Sequence, residues 1–581
     1  MGKSLLLIFL FGCARTSIQE KNTESVLIHP KPIVKKVIAG ATHPNNNFFN
    51  DKTKDYGLDN VIATHFYAVD FNNDSWTDLV LLPNFYSIPQ FFAFDSAKKK
   101  FQRVASPFSE SLRASFLVFA DFNKDGIQDV LLATLNQKTE LTQYPLRIFK
   151  GILKDKVLSY AEVPAAFPNN VLPTTTLVPF DFNLDGELDL YQGNWFDFKK
   201  HSPTPVNDIV LLGKKFKFKK INILASLYKH KKSDFRPTFG AALCDIDNNG
   251  WPDIVTASAS GFANRLWVNK FSLQHGRLFT DYGRSSGFAM DNEGTGALAG
   301  GHSSFAICHD YNNDGIVDVL VGELSHAYDA ESRDRSSVLT GAAKYFPPKF
   351  IRTEYHMDDG TARWNQEDRR GVWVDLNFDG RLDILVDNSG FPPGSRLVAF
   401  LQENDHSFTD VSEDWGLNIV NPVGTIVLDI NRDGRPDILT GQTNIRNSTI
   451  AKRVYLFENV MPRQGKRSLR VFLKGKKSNS SGLGATITLY STEQRQSRLV
   501  SYNEGPQSSQ HALGLIFGLD KGDKIKKITV RWPYLSPENR QKNKNPPLQT
   551  YSLKNISFLE NQNLYLCESG KWSKSAKINC E

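Results

Sequence analysis

The residues in this chain best placed to do chemistry are oxygen-bearing side chains at alternating positions. In the stretch Asp121-Phe122-Asn123-Lys124-Asp125-Gly126-Ile127-Gln128-Asp129, acids or amides fill positions 1, 3, 5 and 9. When the backbone coils tightly around a point, such side chains turn inward. Position 7, here Ile127, adds its backbone carbonyl, and Gly126 at position 6 permits the sharp turn. That supplies about five protein oxygens, and water completes the 6–8 that a calcium ion prefers.

Six further copies follow the same rule. The first is Asp70, Asn72, Asp74, Trp76 and Asp78, in which Ser75 replaces the glycine. Then come Asp181, Asn183, Asp185, Glu187 and Asp189, and Asp245, Asp247, Asn249, Trp251 and Asp253. The last three are Asp310, Asn312, Asp314, Ile316 and Asp318; Asp375, Asn377, Asp379, Arg381 and Asp383; and Asp429, Asn431, Asp433, Arg435 and Asp437. The loop at Asp245 swaps the acid and the amide, yet counted over positions 1, 3, 5 and 9 every loop keeps three carboxylates, 21 in all. Three negative charges a few ångströms apart repel unless a cation sits among them. A solvent turn, also rich in Asn, Asp and Gly, has no reason to hold that count. Calcium is the expected ion, because magnesium favours rigid octahedral sites with retained waters.

An EF-hand needs a bidentate Glu at position 12 and flanking helices. Position 12 is Leu81, Leu132, Gln192, Thr256, Val321, Val386 and Thr440 in turn, never Glu. The residues leaving the loops, such as Val130-Leu131-Leu132 and Val319-Leu320-Val321, are strand formers. The loops therefore belong between strands.

The loop starts are 51, 60, 64, 65, 65 and 54 residues apart, room for one four-stranded sheet per unit. One strand, such as Thr425–Leu428, enters the loop and a second leaves it. A third reads like Arg453-Val454-Tyr455-Leu456, and a fourth carries Phe-x-Asp, as at Phe279-Thr280-Asp281 and Phe408-Thr409-Asp410. The expected fold class is all-β: a seven-bladed β-propeller over residues 48–460. The last unit lacks a Phe-x-Asp strand, and an unpartnered one, Phe49-Asn50-Asp51, precedes the first unit. The N-terminal strand is thus expected to complete the last blade and remove an exposed edge. Pro179 is tolerable in a strand only with one edge unpaired, which predicts an innermost position.

Ahead of the repeats, Lys3, the apolar run Leu5–Phe11 and Gly12 before Cys13 read as a lipoprotein-type signal over residues 1–12, with Cys13 lipidated. Residues 13–47, polar with Lys and Pro, read as a tether. The expected location is the bacterial envelope, as an outer-membrane lipoprotein, with a secreted or periplasmic protein as the alternative. No later stretch holds 18 consecutive apolar residues. Cys567 and Cys580 bracket a short C-terminal loop, residues 567–581, and suit a disulfide in an oxidising compartment; Cys244 and Cys308 read as buried thiols.

The repeats resemble the FG-GAP/VCBS repeats of integrin-type β-propellers, in which calcium loops join the first two strands of a blade. After Arg467, Leu469–Leu473, Asn479, Gly482, Gly484, Ser509-Gln510, Phe517-Gly518-Leu519 and Ile528–Pro533 resemble the ASPIC/UnbV domain of cartilage acidic protein-like proteins, over residues 467–566. The resemblance implies a small β-sandwich there. Tyr534-Leu535-Ser536 and a Lys/Asn-rich insertion depart from the family pattern.

No nucleophile, zinc or phosphate-loop motif is present. His302, His309, His326, Arg335 and His356 cluster in and after the fifth repeat; with no zinc-motif spacing they read as ordinary loop residues, and as a ligand site only if they converge. The net charge of +8, set against 21 loop carboxylates, leaves a basic surface, with Lys214–Lys220 and Arg540–Lys544 as patches. The function expected is a calcium-stabilised binding scaffold for a protein or glycan ligand, anchored to the membrane by lipid and without nucleic-acid partners. The alternative is a polysaccharide-acting enzyme on the same scaffold.

Overall fold

In the computed structural model, seven four-stranded antiparallel sheets follow one another along the chain. The structure describes residues 47–580 except 136–144, 169–170, 198–202, 223–234, 271–278, 290–300, 325–334, 343–345, 356–366, 390–394, 446, 503, 508 and 554–560. The signal, Cys13, most of the tether, His326 and His356 lie outside the described residues. Blade 1 is typical: His65–Val69 enters the loop, Asp78–Leu82 leaves it, and Gln90–Asp95 and Lys100–Val104 complete the sheet. Its first two strands are buried along their whole length, as fits strands sandwiched between neighbouring blades.

The first strands of successive blades lie side by side around an axis, and that of blade 7, Pro422–Leu428, packs beside that of blade 1. Phe49–Asp51 supplies the missing strand of blade 7, pairing Phe49 with Asn459 and Asp51 with Phe457. Pro179 sits in Thr174–Phe180, the innermost strand of blade 3.

The cysteines correct one expectation. Cys244 and Cys308, read as thiols, form a disulfide between the innermost strands of blades 4 and 5. They are 64 residues apart in sequence, close to one repeat, and end equivalent strands, so the ring brings them together. Cys567 and Cys580 are also disulfide-bonded.

The C-terminal region is a sandwich of two four-stranded sheets. It runs past residue 566: the strand Asn561–Cys567 pairs in parallel with Arg467–Lys474 and turns back through Trp572–Ser573. A segment around Ser501–Ala512, between strands Arg495–Leu499 and Leu515–Leu519, leaves the sandwich and enters the propeller axis. There Gln510 exchanges backbone hydrogen bonds with Phe66 and Ala68 of blade 1, and the Gln507 N–H donates to the Thr175 carbonyl of blade 3. Gly505 bridges Ala241 of blade 4, and the Ala512 N–H donates to Val427 of blade 7. Buried Arg370 of blade 6 donates to the carbonyls of Glu504 (2.7 Å), Ser509 (3.2 Å) and Thr425 (2.8 Å). The segment fills the channel that seven innermost strands would otherwise enclose.

Candidate metal centres

Each loop is held by its own backbone. In the second, the Asp125 N–H donates to Asp121 and Asn123, the Gly126 N–H to Asp121, and the Ile127 N–H to Asp125, at 2.9–3.1 Å. Positions 4 and 6 adopt left-handed backbone in all seven loops, including Ser75 at φ 74°, where the others have Gly.

The position-9 acid has a second task that the spacing did not announce. Asp78 accepts from the Phe71 N–H within the loop and from the Phe94 N–H on the third strand. Equivalent pairs recur at Asp129, Asp189, Asp253, Asp318, Asp383 and Asp437. This carboxylate locks the loop to the third strand of its own blade, and all seven are fully buried.

Burial sets the electrostatics. Desolvation, reinforced by neighbouring loop acids, pushes the carboxyls of Asp78 and Asp318 up to about 8 and those of Asp129 and Asp245 up to about 7. Asp189, Asp253, Asp383 and Asp437 move the same way for the same reason. In the fourth loop the oxygens of Asp245, Asp247 and Asp253 come within 4.8 Å of one another. Two ligands of a calcium ion at 2.3–2.6 Å lie at most about 5 Å apart. This loop therefore fits a hard divalent cation directly. Among the described residues, the other loops do not draw three acids so close.

The loops open on one face of the ring, and the sandwich covers that face. Arg495 contacts Asp310 at 2.9 Å, Arg470 contacts Asp429 at 3.5 Å, and Arg540 approaches Asp185 at 3.9 Å. The Gly518 N–H donates to Asp375, Lys124 donates to the Lys477 carbonyl, and Arg531 donates to the Asn248 carbonyl. The departure from the family pattern near Pro533 also has a place here. Leu535 packs with Leu184 and Trp251 of loops 3 and 4, while the Trp251 indole donates to Lys544 of the insertion. Arg540 therefore belongs to a domain contact, whereas Lys214, Lys215, Lys217, Lys219 and Lys220 are exposed at the outer edge of blade 3.

Of the clustered histidines, the described pair His302 and His309 does not converge. His302 and His309 lie at opposite ends of Ser303–His309, roughly 20 Å apart along an extended strand. His309 faces an interdomain cavity of about 110 Å³, shared with Glu504, His511 and Arg498. The His302 N–H and Arg335 belong to the opposite face, where they meet Glu323 at 2.9 Å and Glu354 at 3.1 Å. That face gathers further charge in blades 5 and 6: Arg369 pairs with Glu367 at 2.6 Å, and Ser336 donates to Asp368 at 2.6 Å.

Comparison with known proteins agrees with this architecture. Residues 70–132 and 375–440 match the FG-GAP-like repeat model, and residues 475–557 match the ASPIC and UnbV model. The chain thus carries FG-GAP-like repeats followed by an ASPIC/UnbV domain. A T-cell immunomodulatory protein homolog of Plasmodium falciparum (isolate 3D7) is 36% identical over 91 residues, 12% of each chain, so the match spans about an eighth of that relative. A fungal alcohol oxidase solved with copper aligns over 81% of this chain and 94% of its own, with 10% identity and a TM-score of 0.42. An Agrocybe aegerita protein that recognises non-reducing terminal N-acetylglucosamine aligns over 67% and 94%, with 12% identity and a TM-score of 0.39. Likeness at that level carries no argument about activity.

Proposed function

We propose that this protein is a calcium-stabilised binding scaffold of the bacterial envelope, anchored through Cys13, which presents the propeller face opposite its metal loops to a protein or glycan. One observation carries the reading: the sandwich covers the metal-loop face and its segment around Ser501–Ala512 fills the axis, so a ligand has the opposite face to meet. Ordered metal loops then serve as buried fasteners, and ligand contact falls to residues such as Arg335 and Arg369 near the opposite rim.

A second reading, a polysaccharide-acting enzyme, draws on the acids gathered there, Glu323, Glu354, Glu367 and Asp368, since paired carboxylates can serve as acid and base. An array of glycans and envelope proteins, probed with the full chain and scanned by mass spectrometry for released products, separates the two. Capture without turnover that weakens on chelation and in Arg335→Ala supports the scaffold. Product release overturns it in favour of the enzyme.

A further inference from the structure

The seven loops are alike in sequence, and the C-terminal sandwich makes them unlike. Among the described residues, no ion pair within 4 Å reaches the acids of the fourth loop, whose three carboxylates already converge; Arg531, bonded to the Asn248 carbonyl, and Lys270 act on them from farther off. In the seventh loop Arg470, from the sandwich, lies 3.5 Å from Asp429, while the loop's own Arg435 lies 2.5 Å from Asp433. In the fifth, Arg495 lies 2.9 Å from Asp310. In both of these loops the guanidinium engages Oδ2 of the first acid, and its Oδ1 is buried without a hydrogen bond, still able to ligate.

The sign of the effect follows from charge. With its acids ionised, at pH above about 8, an empty loop carries three negative charges, and the same loop with calcium carries one net negative charge. A fixed guanidinium therefore stabilises the empty state more than the filled one. We infer that Arg470 and Arg495 are internal counter-cations, which weaken calcium binding at the seventh and fifth loops relative to the fourth, whose acids no arginine among the described residues touches directly. The sandwich thereby grades seven similar loops into classes of different affinity, and its docking at loops 5 and 7 does not wait for metal. The inference rests on the calcium reading of the loops.

Isothermal titration of the metal-stripped full chain with calcium chloride tests it. At least two affinity classes are expected. Asp245→Asn removes one site from the tight class, whereas Asp429→Asn leaves that class intact. Arg470→Gln tightens the weak class on the order of tenfold, the effect of removing one charge at about 6 Å from a divalent ion even under water-like screening. A single class of equivalent sites, or weaker or unchanged binding in Arg470→Gln, overturns the inference. Should Arg470→Gln fail to fold, the contrast between Asp245→Asn and Asp429→Asn decides alone. A chain that binds no calcium at all gives zero total stoichiometry, and sinks the calcium reading together with this inference.

Discussion

The two faces of the ring are built from the same strands and have opposite fates. On the metal-loop face the loops are nine residues long, their position-9 acids are buried, and a second domain is fitted to them closely enough that a Cβ on Gly518 would strike Asp375 and the Phe378 backbone. On the other face the connections between strands vary in length from blade to blade, and charged pairs such as Arg335–Glu354 sit at the rim with the arginine about one-third exposed. A repeat whose one end must seat a partner domain keeps that end uniform. The other end is free to diverge, which is where loops on rigid scaffolds usually carry binding.

That contrast can be broken experimentally. Chelation acts on the covered face and should have the largest effect: each calcium held at 100 times its dissociation constant adds about 2.7 kcal/mol, and several loops contribute. Calorimetry should therefore show a markedly lower unfolding temperature in chelator; an unchanged one, with metal removal confirmed, would count against structural calcium.

Arg370→Ala comes next. It strips a buried guanidinium from two carbonyls of the axial segment, Glu504 and Ser509, and one of blade 7, Thr425, and should cost about 3–5 kcal/mol in denaturant unfolding. A cost below 1 kcal/mol would mean that the segment is held by its strand bonds alone.

A pH series on metal-free protein sharpens the picture further. Between pH 7 and 8 the buried histidines, lowered to about 4 at His65 and about 3 at His309 chiefly by desolvation, are mostly neutral in folded and unfolded chains alike. The raised carboxyls then dominate. Asp78, Asp318, Asp129 and Asp245 hold protons in the folded state that the unfolded chain has released, so metal-free stability should fall as pH rises through 7 to 8. Because binding must expel those protons, calcium affinity should rise over the same interval. Flat profiles in both measurements would contradict the burial of these acids.

The smallest effect belongs to the opposite face. Arg335→Ala removes a partly exposed ion pair and should cost about 1 kcal/mol or less in thermal unfolding, even where it weakens ligand capture. A large loss of stability would mean that this rim is as structural as the covered one.

Much of this architecture could be read from spacing alone. Seven loops announced seven sheets, and Phe49-Asn50-Asp51 ahead of the first unit announced how the ring closes, because both signals are local and repeated. The Cys244–Cys308 disulfide was missed, although one repeat separates the two cysteines and equivalent strand ends are neighbours in a ring. His302 and His309 part for a related reason: closeness in sequence said nothing about which end of a strand each residue would occupy.

Position-by-position chemistry was therefore written in the chain: which acids turn inward, where the backbone turns left-handed, and how many sectors result. Such features depend on residues at most a dozen apart. The seat of the sandwich, the filled axis and the pairing of Arg470 and Arg495 with particular loops arise from partners 41 and 185 residues away, and Arg531 meets Asn248 across 283. No local pattern encodes those distances, and only the folded ring, with its second domain in place, decides which loops share their charge with arginine and which face stays open.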